Sequence, residues 1–320
     1  MLFGTACQDE ALDAHGDQLV CKVVANKSTT AKNADPVNLH LSIPLNEIRN
    51  MEYLPDWLTM QDLILYLLLG AVAGVVAGLL GVGGGLVIVP ALIWIFISKG
   101  FDGAIVAHLA VGTSLVTIVA TSISSIHAHH RRGAVRWELV MQLLPGILVG
   151  AWLGVVIADA LPTLWLKRVF ALFVVIVGLR MLITVDIEGH RELPGRGILA
   201  LVGSVIGTIS AIVGIGGGTM TVPFLNWCRV NMQQAVATSS ACGLPIAAAG
   251  GIGFVVVGLD EQLLPAGTSG YIYWPAVLGI VLASVLFAPL GACLSHNLPS
   301  ATLKRIFALL LFLIGGRMVL

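Results

Sequence analysis

Charge is what this sequence has least of. Only 11% of its residues are Asp, Glu, Lys or Arg, against roughly 25% in soluble globular domains. Seventeen acidic side chains balance seventeen basic ones, so no basic field exists to hold nucleic acid and that class of function is excluded. Aromatics are scarce at 7%. The five cysteines, at 7, 21, 228, 242 and 293, form no CxxC or Cys/His spacing, so neither a metal site nor a cofactor is expected. Cys7 and Cys21 lie in the one long polar stretch, where a disulfide and two free thiols are both open.

Apolar residues are abundant instead: 57% of the chain, with a mean hydropathy of +0.95. The apolar runs are continuous and do not alternate, which excludes a β-barrel. The sequence therefore predicts an all-α polytopic membrane protein, and its thirty-seven glycines suit helices that associate through small residues. Residues 1–58 carry eight acids and four bases and no basic segment followed by an apolar one, so a cleaved signal peptide is not expected. They form a polar N-terminal extension, placed outside the cytoplasm by the loop charges considered below.

Ten apolar stretches follow, at about 63–80, 84–98, 104–126, 138–158, 164–183, 197–213, 217–228, 234–258, 274–294 and 303–320. Most approach the ~20 residues of a spanning helix. The second and seventh are shorter, open on glycines and contain Pro90 and Pro223, and so read as broken or re-entrant helices. The chain repeats itself. Gly81-Val82-Gly83-Gly84-Gly85 with Pro90 matches Gly214-Ile215-Gly216-Gly217-Gly218 with Pro223, and Ala110-Val111-Gly112-Thr113-Ser114 matches Ala235-Val236-Ala237-Thr238-Ser239. Near the ends, Leu161-Pro162, Lys167-Arg168, Phe170, Gly178 and Arg180-Met181 match Leu298-Pro299, Lys304-Arg305, Phe307, Gly315 and Arg317-Met318.

Two halves of five segments result, residues 59–190 and 191–320, and the odd number makes them an inverted repeat. The loop after the third stretch carries Arg131, Arg132 and Arg136, whereas its counterpart carries Asp260 and Glu261, so the two should face opposite sides. With the arginines in the cytoplasm, nine Lys and Arg beyond the extension lie inside and four outside.

Neither glycine cluster is a dinucleotide fingerprint, because Leu86 and Thr219 stand where its last glycine is required. Each can open a half-helix whose free backbone N–H groups attract an anion. Two such ends aimed at one midplane site make an inverted-repeat transporter's substrate site; the alternative is glycine used only for close packing. Thr113, Ser114, Thr238 and Ser239 are candidate hydroxyl donors, against the ordinary use of such hydroxyls in back-bonding along their own helix. His108, its approximate counterpart Gln233, and Cys242 are candidates for contacting substrate or carrying a proton, with an interfacial histidine and an apolar filler as the plainer readings. His127, His129 and His130 read as a solvated loop, and Arg168, Arg180, Arg305 and Arg317 as snorkelling anchors. Gly70, Gly74 and Gly78, and Gly146, Gly150 and Gly154, form small-residue faces for helix contact, within one subunit or between two in a homodimer.

The paired GxGGG-xxxxP turns, the AVGTS and AVATS segments and the repeated LP…LKR endings resemble the TauE/SafE family of sulfite-exporter-like permeases over residues 60–320. The resemblance implies a transporter of small sulfur-containing anions, sulfite or short organosulfonates, in the cytoplasmic (inner) membrane. It implies substrate contacts at Gly83, Gly84, Gly85, Thr113, Ser114, Gly216, Gly217, Gly218, Thr238 and Ser239. The polar extension is a departure from the compact members of the family. Export by alternating access is the leading expectation and an anion channel the alternative. A Ser114 or Ser239 nucleophile with His108 as base is the enzyme reading, and it is set aside because it leaves the repeat unexplained.

Overall fold

The computed structural model describes residues 7–12, 18–24, 38–44, 60–80, 83–131, 133–182 and 193–294. The chain divides into two compact units, Met1–Thr59 and Met60–Leu320. In the first, β1 (Cys7–Leu12), β2 (Gln18–Val24) and β3 (Asn38–Pro44) form an antiparallel meander in that order. Glu10 stands opposite Cys21, and Cys21 opposite Leu41, with a register shift between Cys7 and Glu10.

The second unit is all-α, as the apolar runs require. Its described residues form α1 (Met60–Leu80), α2 (Gly85–Ser98), α3 (Val106–His130), α4 (Trp137–Ala160), α5 (Thr163–Leu182), α6 (Arg196–Val213), α7 (Gly218–Trp227), α8 (Met232–Val257) and α9 (Trp274–Leu294). Six of these are long and apolar enough to cross a membrane, and large apolar side chains such as Leu68, Trp152, Leu201 and Leu286 stand exposed on their outer faces. This is a multi-pass membrane protein. Each of the first nine predicted stretches is a helix; the tenth, with Lys304, Arg305 and Arg317, and also Gly81, Val82 and Arg132, lie outside the described residues. One boundary moves. The third helix runs on to His130, so His127, His129 and His130 form its last turn, where the Trp137 indole N–H donates to His130 Nδ1 at 3.2 Å.

Glycine decides how the helices meet. A methyl at Gly146, Gly150 or Gly154 on α4 would overlap the carbonyl oxygens of Ala200, Ser204 and Thr208 on α6 in turn, so the two helices run parallel at backbone contact. On α1, Gly70 and Gly74 face Ile280 and Ser284 of α9 in the same parallel sense. Where lipid replaces water outside, such contact supplies dispersion energy that hydrophobic burial cannot. Between these two pairs, α3 and α8 cross antiparallel: Gly112 meets Phe254, Leu115 meets Gly250, and Ser122 lies beside Gly243. The short helices α2 and α7 lie against α3 and α8 respectively. Exchanging the sequence halves turns the α1–α9 contact into α6–α4, and the α2–α3 contact into α7–α8.

Candidate functional site

The two glycine turns touch. Gly83 and Gly84 precede α2 with φ of 81° and 76°, and Gly217 precedes α7 with φ of 75°. This left-handed region costs a residue with a side chain roughly 1–2 kcal/mol. A methyl on Gly83 would stand 3.5 Å from Gly216 Cα, and one on Gly85 would overlap the Gly214 carbonyl oxygen. Ile118, fully buried at the middle of α3, packs on both turns. The first turns of α2 and α7 therefore begin side by side, and their leading N–H groups, which no helical carbonyl can reach, belong to one region of the core. Neither helix has a side-chain cap.

A cavity of about 20 Å³ opens where the turns meet, between α3 and α8, with Ala77 and Gly78 of α1 and Ala288 of α9 completing its wall. Gly83 and Gly216 form part of its wall, and its polar side chains are Thr121, Ser122, Ser125 and Ser240. All four were missed as candidates. Thr121, Ser122 and Ser125 continue the face of α3 on which Ser114 and Ile118 lie, at helical spacing, and following that face along Thr121-Ser122-Ile123-Ser124-Ser125 would have found these three; Ser240 is on α8. The second half has Ile246, Ala247 and Gly250 at the matching positions, so repetition did not mark them.

The hydroxyls that the repeat did mark hold the scaffold. Thr113 Oγ1 accepts the backbone N–H of Tyr273 at 3.0 Å, just ahead of α9. Thr238 Oγ1 accepts the backbone N–H of Arg136 at 3.1 Å, just ahead of α4. Ser114 Oγ donates to the Gly214 carbonyl at 3.0 Å, tying α3 to the second glycine turn. Ser239 Oγ is buried with no hydrogen-bond partner among the described residues. Of the predicted substrate residues, Gly83 and Gly216 line the cavity and Gly84, Gly85, Gly217 and Gly218 do not, while Thr113 and Thr238 lead away from it in opposite directions along the crossing helices.

Comparison with known proteins agrees with this architecture. The family profile described as Sulfite exporter TauE/SafE matches residues 66–318. This chain belongs to the TauE/SafE family. A probable membrane transporter protein of Haemophilus influenzae is 36% identical over 259 residues, covering 81% of this chain and 98% of that protein. The probable membrane transporter protein MJ0441 of Methanocaldococcus jannaschii is 27% identical, covering 71% and 81%; YunE of Bacillus subtilis, also a probable membrane transporter protein, is 24% identical, covering 81% and 98%. No solved structure matches. The TauE/SafE match takes in both glycine turns and the cavity, and leaves the three strands outside it.

The remaining candidates lie apart from this TauE/SafE cavity. His108 is buried near the start of α3, where its Nε2–H donates to the carbonyls of Ala158 at 2.9 Å and Leu161 at 3.1 Å. Its Nδ1 lies 3.3 Å from Thr163 Oγ1, which itself donates to the Ala104 carbonyl. The ring also faces that of Tyr271 at 5.2 Å, whose phenol burial, with Asp159 and Glu261 nearby, pushes up to about 12. His108 thus joins α3 to the α4–α5 corner, and the hydrogen-bond partners of His108 and Ser114 do not include each other. Gln233 is exposed in the first turn of α8, its backbone N–H capped by Asn231. Cys242 is fully buried in an apolar cluster with Leu225 and Ile246.

Proposed function

We propose that this protein is a secondary transporter that exports a small sulfur-containing anion, sulfite or a short organosulfonate, across the cytoplasmic membrane. In this reading the two halves act as an inverted repeat around a central site. The observation that carries it is the meeting of the two glycine turns at a cavity with hydroxyl groups in its wall. Two helix N-termini, each worth about half a positive charge, converge there with backbone donors that bind an oxyanion without a fixed cation to retard its release. The antiparallel run of the matching helices α3 and α8 supports the inverted relation, and the family's description supports the sulfur chemistry.

Alternating access is favoured over a channel by the size of the cavity. About 20 Å³ is room for roughly one water and too little for a sulfur oxyanion, so the crossing helices must part before substrate is bound. A membrane potential of 100 mV, negative inside, favours expulsion of one negative charge by ~2.3 kcal/mol, which is a driving force for export.

The test is flux of sulfite and of methanesulfonate from proteoliposomes. Saturable flux that is lost in Gly243→Val and raised in KM in the milder Ser122→Ala supports the reading. Unsaturable flux with single-channel currents would establish the channel instead, and full activity in both variants would remove the cavity from the mechanism.

A further inference from the structure

The hydrogen bonds inside the cavity specify more than an anion, and the argument rests on the site reading given above. A carbonyl oxygen has no proton to give, so a hydroxyl beside one must be the donor. Thr121 Oγ1 lies 3.1 Å from the Ile118 carbonyl and 3.3 Å from that of Thr117, and its proton is committed to them. Ser240 Oγ donates to the Val236 carbonyl at 3.0 Å. Ser125 Oγ stands 3.3 Å from Ser240 Oγ, and since the Ser240 proton is already used, Ser125 is the donor of that pair. Three of the four lining hydroxyls are thereby left offering lone pairs. Ser122 alone among them has no committed proton among the described contacts, and it sits beside Gly243, where the Gly216 carbonyl also approaches.

The wall is therefore divided. Ser122 and, on the site reading above, the leading N–H groups of α2 and α7 donate; Thr121, whose proton is held within its own helix and stays so when the helices part, accepts. A bare oxyanion satisfies the first set and turns its own lone pairs on the second, and an acceptor left without a donor in a closed site costs about 1–3 kcal/mol. An oxyanion that keeps one hydrogen satisfies both. Charge leads to the same answer, because two helix ends of about +0.5 each balance one negative charge and leave a second uncompensated. Ionisable side chains on the surrounding helices do not change that sum. On α1, Asp62 is paired with Lys99; on α3, His108 is bonded at one end and His127, His129 and His130 stand at the other; on α8, Cys242 faces the apolar cluster. None of these lines the cavity.

We infer that this cavity selects a singly charged oxyanion that still carries one acidic hydrogen, of the hydrogensulfite type, over its doubly charged conjugate base. The proton then crosses with the substrate. After release the anion loses that proton to water as H⁺ wherever the pH lies above its second ionisation and becomes the dianion, which the site does not take back; a gradient that is acid outside therefore opposes export of this form, while the membrane potential favours it.

The test is calorimetric binding to the detergent-solubilised full chain, with three probes: sulfite, methanesulfonate as a permanent monoanion without an acidic hydrogen, and sulfate as a dianion. The pH is taken from below to above the second ionisation of sulfite. Above that ionisation, the Kd for total sulfite should rise about tenfold per pH unit, while that for methanesulfonate stays level and sulfate binds weakest. Thr121→Val should weaken sulfite binding about fivefold and tighten that of methanesulfonate, which has no hydrogen to offer the hydroxyl, with Thr121→Ser restoring the wild-type ratio. The ratio of the two Kd values serves as its own control for folding. Sulfite affinity that is level or increases with pH, or sulfate bound as tightly as sulfite, overturns the inference. If Ser122→Ala still weakens all three probes in that case, the site stands and only the charge selection falls; if Ser122→Ala and Gly243→Val alter none of them, both readings fall.

Discussion

Thr113 Oγ1 and the backbone N–H of Tyr273 are 3.0 Å apart, and both residues are buried. The bond has a twin. Thr238, at the matching place in the second half, accepts the N–H of Arg136 at 3.1 Å. In each case a threonine of a crossing helix fixes the residue that launches a long helix of the other half. The environments differ, because Arg136 is partly exposed and Tyr273 is not. Thr113→Val leaves a buried donor unpaired and should cost about 1–3 kcal/mol, whereas after Thr238→Val water can reach the Arg136 N–H and the cost should stay under about 1 kcal/mol. The apparent Tm of the detergent-solubilised protein checks this, and equal losses would contradict the assignment.

Glycine at the α4–α6 contact has a separate consequence. A methyl at Gly150 overlaps the Ser204 carbonyl oxygen, which is backbone and cannot rotate away. Gly150→Ala must push the parallel helices apart along their length and should destabilise by about 1–3 kcal/mol or more. Gly103, with nothing within 4 Å of its Cβ position, is the control, and Gly103→Ala should stay within about 0.5 kcal/mol. Thermal unfolding of the two variants side by side decides it.

The helices were legible because each is an unbroken apolar run ended by glycine, proline or charge. The turn before α2 was legible because Gly83-Gly84-Gly85 returns as Gly216-Gly217-Gly218. The cavity's side chains were not, for the same reason. Repetition picks out what both halves need, and both need the pins Thr113 and Thr238; Thr121, Ser122 and Ser125 have Ile246, Ala247 and Gly250 in the other half. Alignment also put His108 beside Gln233, yet the α4–α5 corner and Tyr271 bury the histidine while Gln233 stays exposed at the start of its helix. The sheet of residues 7–44 was hidden by polar composition, in which no continuous apolar run marks a strand.

His108 should behave as a structural residue. Removing its imidazole deprives the Ala158 and Leu161 carbonyls of a donor and the Thr163 side chain of a neighbour. His108→Ala should lower stability by about 1–3 kcal/mol and leave the Kd for anion per folded molecule unchanged. Calorimetry on the folded fraction separates the two effects, and a changed Kd with unchanged Tm would assign His108 to the substrate path.

Asp62 and Lys99 make the last prediction. Their 2.6 Å ion pair joins the start of α1 to the residue after α2, with the two side chains 12% and 17% exposed, and the Lys99 ammonium lies 5.8 Å from the Tyr273 ring centroid. A pair this well covered is more than a surface contact worth 0–1 kcal/mol, but water still reaches it, so the loss on breaking it should be below the ~3–5 kcal/mol of a fully buried pair. Asp62→Asn and Lys99→Met should each cost about 1–3 kcal/mol, and the double variant less than their sum, because the second change cannot remove again the interaction that the first has already broken. High salt should recover little of the loss, since exclusion from solvent also excludes screening ions. Additive losses in the double-mutant cycle, or full recovery in salt, would reduce the pair to an ordinary surface contact and leave α2 held at that end by the core packing of Ile93, Ile95 and Phe96.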